Sequence, residues 1–512
     1  MRRYWKIFVL IAVLSAAAAG LTFLLIKKAY DSKHSTGKAA QQAGTEAGLF
    51  AVSKETLNLW YTDDSLTDYL NSVAVAYNAG SDKVRVTPKL VSGKDYIKAI
   101  SDASVKNEDM PDLYLISNDT LEQASLAGLT SEVNKKDSAE FSAKDPATAV
   151  NAVTYKGKIV GYPVYYETGS LLYNKTYLDD WAKAQIEAAQ SETADTSVQG
   201  TTASSGDADQ KEIDAEVAKA LPKTIADIET FADTYDAPDD MQAIFKWDVN
   251  DIFYNYFFIG SSVDVGGKCG DDGTINIYNS NSIKSLMQYQ KLNQFFSIDT
   301  SEISYDGVLQ DFIDGKILYT VATTDALKKI DEAKKEGKCS YDYGMTLLPS
   351  INSDLPAKSM SVTTAAVING YCADKDSAAG FAKYLAERPA QELYDRTGKV
   401  SVQKDAQYRD ACLSCFMKEY ERSAPVPKMI STANYWVKLE IAFAGIWDGA
   451  DPNDTLHTLS EEMLSQAGGS KVTQDKIEVE ETAESTDATN EYVDDSTGTG
   501  STAAAESTTG GK

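Results

Sequence analysis

The sequence predicts an α/β protein built as two lobes, on three observations. Short apolar runs alternate with segments of helical spacing from Leu57 to Ile116, in the order β-α-β-α-β, which describes an open sheet with helices on both faces. From about Glu55 to Gln466 the chain keeps the apolar density of a globular body, and that length suffices for two lobes, each with its own core. No internal repeat divides this stretch in another way.

The N-terminus comes first. Arg2, Arg3 and Lys6 precede an uncharged apolar run over residues 7–26, which Lys27 and Lys28 close. Twenty helical residues rising about 1.5 Å each span about 30 Å, the hydrocarbon thickness of a bilayer. We read 7–26 as an uncleaved transmembrane anchor behind a cytoplasmic stub, residues 1–6. A cleavable secretion signal competes, since Ala16 to Ala19 could supply its site, but the apolar run continues past them to Ile26. No cysteine lies nearby, which excludes a lipid-anchored mature terminus. Residues 27–54, largely polar and rich in Ser, Gly, Ala and Gln, make a flexible tether.

Within the body, 57–61 is the first strand. Leu66, Tyr69, Leu70, Val73, Ala74 and Tyr77 then fall at helical spacing, with Gly80 as a stop. Residues 84–86 form the second strand; Tyr96, Ile97, Ile100 and Ala103 mark the next helix face, and 113–116 the third strand. A hairpin is expected at 156–158, then separate strands at 160–165 and 171–173. Thr224 with Asp227 has the form of a capping box. Further strands are expected at 317–321, 344–348 and 363–368, a helix through Phe381 and Leu385, and mostly helix from Ala424 on. Crossovers of this kind bring strand ends to one edge, where ligands bind.

Composition bounds the chemistry. Two segments break the globular texture: 182–222 carries eight acids against three lysines, and 471–512 carries ten against three. Both are expected to be disordered, because neither offers enough apolar surface to offset its ordering entropy. The net charge of −27 disfavours nucleic acid and anionic membrane surfaces as partners. Five scattered cysteines do not form a disulfide framework. Cys412 and Cys415 have the CxxC spacing, but their surroundings resemble mid-helix, so we read them as structural thiols rather than a redox or zinc site. With only His34 and His457 present, neither a multi-histidine metal site nor a histidine-based triad is available. No cofactor is expected.

Several segments, in this order, resemble the extracellular solute-binding proteins of ABC importers, of the maltose-binding (family 1 sugar-binding) type. They are 57–64 (LNLWYTDD), 111–119 (PDLYLISND) with Leu121 and 127–129 (AGL), 155–163 (YKGKIVGYP) running on to Glu167 and 171–175 (LLYNK), 222–224 (PKT), and 344–349 (GMTLLP) with 361–369. The resemblance implies a periplasmic-binding-protein-like fold of type II, with discontinuous lobes joined by a hinge and closing on a ligand. Its N-terminal lobe would comprise 55–164 and 361–400. Its C-terminal lobe would comprise 165–360 and 401–468, with the disordered insert 182–222, and 469–512 would be an acidic tail. It implies a monomeric binding component rather than an enzyme, lying outside the cell membrane and delivering a sugar or oligosaccharide to permease subunits. A membrane-anchored ligand sensor, or a binder of a polyamine or other cation, is the alternative.

Sugar recognition needs aromatic rings for the C–H face of the ring and carboxylates or amides for hydroxyls. By the resemblance, Asp63, Asp64 and Ser65 follow the first strand, Asn118 and Asp119 follow the third, and Glu167 lies near the hinge. Each acid has a plain competing role as a helix cap or loop charge. Trp247, Tyr435 and Trp436 fall in segments that line the cleft in the family, although tryptophan is more often core. Asp325 stands where maltose-binding relatives carry an aromatic, which hints at a more polar or cationic ligand.

Overall fold

The computed structural model describes residues 54–195, 209–296, 298, 300 and 302–479. The predicted span 7–26, nearly all of the tether and the tail beyond Val479 lie outside them. Among the described residues, no helix is long and apolar enough to cross a membrane. Residues 54–56 and 81–85 cluster separately, joined by the Glu55 N–H donating to the Lys83 carbonyl at 2.9 Å; the other described residues form one compact unit.

Ten strands make the principal sheet: β1 (Glu55–Tyr61), β2 (Val84–Leu90), β3 (Leu113–Ser117), β4 (Tyr162–Asn174), β5 (Ala243–Phe245), β6 (Ile317–Thr323), β7 (Tyr343–Thr346), β8 (Met360–Ile368), β9 (Val400–Ser401) and β10 (Ala424–Pro425). Their order is β2-β1-β3-β8-β4-β6-β5, with β7 and β9 also on β4 and β10 on β8. The β1–β3 and β5–β6 pairs are parallel, while β8 and β6 run antiparallel to β4.

Strand β4 joins two halves. Its first part pairs with β8, ending at Ser361 opposite Thr168, and with β9 through Val400 opposite Tyr166. From Gly169 onward it pairs with β6, beginning at Thr323 opposite Gly169, and with β7. The sequence suggested two strands here, because Glu167, Thr168 and Gly169 interrupt the apolar pattern. The chain nevertheless continues as one strand, since each part finds ladder partners among strands distant in sequence, with one register shift at Thr364/Ala365. The change of partners falls between Thr168 and Gly169.

Each half buries its own core. In the N-terminal half, Trp60, Tyr114, Ile116, Leu121, Val160 and Val367 pack together. The helix Thr67–Gly80 covers this sheet because Tyr69, Leu70, Val73 and Ala74 fall on one face. In the C-terminal half, Phe245, Trp247, Phe258, Tyr289, Val321 and Trp447 form a larger aromatic core. A third cluster lies along β4 itself, where Tyr166 stacks on Tyr420 at 3.8 Å.

Three expectations are corrected. Of the insert expected to be disordered, residues 182–195 and 210–220 belong to the helices Lys175–Asp195 and Gln210–Ala220, while 196–208 lie outside the described residues; Ala182, Ile213 and Val217 are buried in the C-terminal core, so these two helices do have an apolar face, spaced too widely to raise the average hydropathy. The first residues of the expected tail are docked: Asn453 donates to the Ile477 carbonyl at 2.7 Å, and Ile477 donates its N–H to the Tyr278 hydroxyl at 2.8 Å. Cys412 and Cys415 lie at the start of the helix Leu413–Arg422 rather than in mid-helix. Burial pushes the Cys412 thiol up to about 12 and raises Cys415 as well, which keeps both protonated.

A buried lysine ties the halves together away from β4. Lys428 is 1 % exposed and donates to the carbonyls of Asn151, at 2.9 Å, and Cys269. Beside it, Lys156 donates its backbone N–H to the Asp271 carboxylate and its ammonium to the Asp271 carbonyl.

Candidate ligand-binding site

The place where β4 changes partners is also where charged and aromatic side chains from both halves converge. Glu167 lies two residues before Gly169 and accepts a hydrogen bond from the Lys399 ammonium. The same ammonium lies 3.3 Å from Asp63, just beyond the end of β1, and 5.6 Å from the Tyr165 ring centre. Lys399 is placed by the backbone. Gly398, at φ 74°, ends the helix Ala390–Thr397 in the left-handed conformation that glycine adopts without strain. The chain then enters β9 beside Tyr165 and Tyr166.

The electrostatics follow from this packing. Burial works against the charge on Lys399, but Glu167, Tyr165 and Asp63 outweigh it and raise its pKa. Burial likewise opposes ionisation of Asp63, and bonds from Ser65 together with Lys399 overcome it, leaving its pKa below the usual value. Burial pushes the Tyr165 hydroxyl up to about 12.

The C-terminal half contributes a matching group. Thr323, opposite Gly169, donates its hydroxyl to Asp325 at 2.6 Å and lies 2.8 Å from the Tyr305 hydroxyl. Lys329 pairs with Asp325 at 2.9 Å and Asp306 at 3.2 Å, and sits 5.4 Å over the Tyr305 ring. Tyr305 stacks on Tyr254 with ring centres 4.7 Å apart. Asp325 is held below its usual pKa because bonds from Thr323 and Lys329 outweigh its burial. A Cβ on Gly398 would lie 3.9 Å from the Asp325 Cα and 3.2 Å from the Lys328 Cδ, so the turn bearing Lys399 rests against this second group.

The residues singled out from sequence divide accordingly. Asp63 and Glu167 meet at Lys399, and Asp325 lies across the Gly398 turn from them. Asp63 is also a cap, since its carboxylate accepts the Ser65 N–H at 2.9 Å and the Ser65 hydroxyl at 2.6 Å. Asp64 is exposed and accepts from the Thr67 hydroxyl at 3.0 Å. Asp119 is exposed and accepts a local bond from the Ser117 hydroxyl. Near it, at the ends of β1 and β3, a cavity of about 380 Å³ is lined by Thr62, Asp95, Lys98, Ser117, Thr120 and Gln123.

Three residues, Asn118, Trp247 and Tyr435, serve the packing instead. Asn118 is buried, with both ends of its amide engaged by the backbone. Trp247 has 0 % exposure, stacks on Phe245 at 4.5 Å and donates its indole N–H to Asn255 at 2.8 Å, leaving no face for a ligand. Tyr435 is fully buried, whereas Trp436 is only half-buried, packing on Tyr435 and on Tyr256. Sequence reasoning missed Lys399, Tyr305 and Tyr254. The partners that give Lys399 its role, Glu167 and Asp63, are far away in the chain, so no local pattern marks it.

A family model described as bacterial extracellular solute-binding protein matches residues 72–412. Among solved structures, an extracellular solute-binding protein from Staphylococcus aureus in complex with maltose is similar at a TM-score of 0.63 and 18 % identity, covering 81 % of this chain and 98 % of its own. A maltose-binding periplasmic protein from Listeria monocytogenes, also with maltose, gives 0.60 and 19 % over 82 % and 100 %. A Thermus thermophilus maltotriose binding protein bound with maltotriose gives 0.54 and 19 % over 81 % and 99 %. No curated protein sequence matches the chain. The fold is thus that of these two-lobed binding proteins.

Proposed function

The chain belongs to the family of bacterial extracellular solute-binding proteins, and from that premise we propose that it captures a neutral oligosaccharide outside the membrane for an ABC importer. The observation that carries this reading is that Asp63, Glu167 and Tyr165 gather around Lys399 on one side of the point where β4 changes partners, and Thr323, Asp325 and Tyr305 beside Lys329 on the other, with the Gly398 turn resting against Asp325. Carboxylates there accept sugar hydroxyls, and tyrosine rings offer faces for sugar C–H groups. Hinge movement at Thr168 and Gly169 would open and close the groove. Asp119 and Asp64 extend its rim on the N-terminal lobe. The apolar run 7–26, long enough for a bilayer, tethers the protein to the outer face of the membrane, and it acts there as a monomer on permease subunits.

A thermal-shift screen of the full-length protein against maltotriose, other neutral oligosaccharides, spermidine and short peptides tests this. A ligand that binds only the folded protein raises its melting temperature. A rise with neutral oligosaccharides alone supports the reading, and a rise with spermidine or peptides alone overturns it.

A further inference from the structure

We propose that Lys399 is the specificity-determining residue of the site: a built-in counter-ion that takes the place a cationic ligand would fill, so that the groove accepts neutral sugars. This rests on the ligand site proposed above. The Lys399 ammonium has two carboxylates, Glu167 and Asp63, and the face of Tyr165 around it. That is the set of groups that would enclose a ligand's ammonium.

Three features make Lys399 a fixture of the protein rather than a mobile surface charge. The Gly398 N–H donates to the Tyr394 carbonyl at 2.8 Å, the Lys399 N–H donates to the Thr397 hydroxyl at 3.0 Å, and Val400 pairs with Tyr166. The backbone on both sides of the lysine is therefore set. Its side chain is 16 % exposed, against 33 % for Asp63 and 41 % for Glu167. The cation lies behind and the carboxylates face outward. Each carboxylate has about four acceptor positions, and Lys399 engages Oε1 of Glu167, leaving Oε2 for a hydroxyl.

The C-terminal lobe repeats the arrangement. Lys329 lies between Asp325 and Asp306 over the ring of Tyr305. In each half a lysine from the chain neutralises an acid pair beside a tyrosine. Acids alone would favour cations; acids already paired with lysines select for groups that donate hydrogen bonds without bringing charge. Lys399 is a positioning residue, acting through Glu167 and Asp63.

The test is calorimetric titration of the full-length protein with maltotriose and with an amino-deoxy maltotriose in which one hydroxyl is replaced by an ammonium. The wild type is expected to prefer maltotriose by tenfold or more. K399M is expected to weaken maltotriose at least tenfold and to invert the preference, whereas K399R restores it. E167Q, which spares the lysine, is expected to weaken maltotriose without admitting the amino sugar, and keeps the test decisive should K399M fold poorly. Retention of the wild-type preference by K399M, or tight binding of the amino sugar by E167Q, overturns the role of Lys399. Failure of the wild type to bind maltotriose overturns the site reading and the Lys399 proposal with it.

Discussion

Thr363 donates its backbone N–H to the amide oxygen of Asn118 at 2.8 Å, deep in the sheet. The other end of the same amide donates to the Val426 carbonyl at 2.7 Å. One side chain thus bolts the end of β3 to β8 and to the segment after β10. Asn118→Ala would leave a buried N–H and a buried carbonyl without partners, which costs about 2 kcal/mol. Urea unfolding is expected to show that loss, while the folded fraction keeps its ligand affinity within about twofold. Full stability with lost binding would instead make Asn118 a ligand contact.

Asp119 is its neighbour and its opposite. The residue is exposed and bonded locally to Ser117, so Asp119→Ala is expected to change stability by less than about 0.5 kcal/mol. If Asp119 lines the groove, the thermal shift with maltotriose shrinks or disappears. An undiminished shift would remove Asp119 from the site.

Trp247 anchors the aromatic core of the C-terminal lobe among Phe245, Phe258, Phe296 and Trp447. Trp247→Ala removes that packing and leaves the Asn255 amide oxygen without its donor. A loss of about 4 kcal/mol is expected from unfolding curves. A stable variant with impaired binding would contradict its assignment to the core.

Lys428 gives a pH signature. Burial lowers its pKa from 10.5 to about 8, and the nearby Cys269 and Asp271 only partly offset this. The folded value lies below the unfolded one, so between about pH 8 and 10.5 the folded chain binds fewer protons and stability rises with pH. Subtracting the stability of Lys428→Met from that of the wild type isolates this from other titrations. The difference is expected to grow in favour of the wild type by up to about 3 kcal/mol across that window. A flat difference would mean that Lys428 keeps an ordinary pKa in the fold.

Local pattern made much of the fold legible. Periodicity located β1, β3 and the helix between β1 and β2, and the Thr224 capping box forms, with Asp227 donating its N–H to the Thr224 hydroxyl at 3.3 Å and accepting the Thr224 N–H at 2.8 Å. What failed depended on partners remote in the chain. Strand β4 looked broken because Glu167 to Gly169 is not apolar, yet its continuity is decided by Ser361 and Thr323. Trp247 and Tyr435 could not be separated from ligand platforms, since a buried aromatic and a stacking aromatic look alike in sequence. Lys399 stands 232 residues from Glu167, and only the pairing of β9 with β4 brings them together.

The most direct measurement compares maltotriose affinity, by calorimetry, for the wild type, Glu167→Gln and Asp325→Asn. These isosteric changes remove one carboxylate from each side of the point where β4 changes partners. Both are expected to weaken binding at least tenfold in variants that remain folded, with a ligand-free melting temperature lowered only in proportion to the lost ion pair. Wild-type affinity in both variants would place the ligand elsewhere and contradict the account.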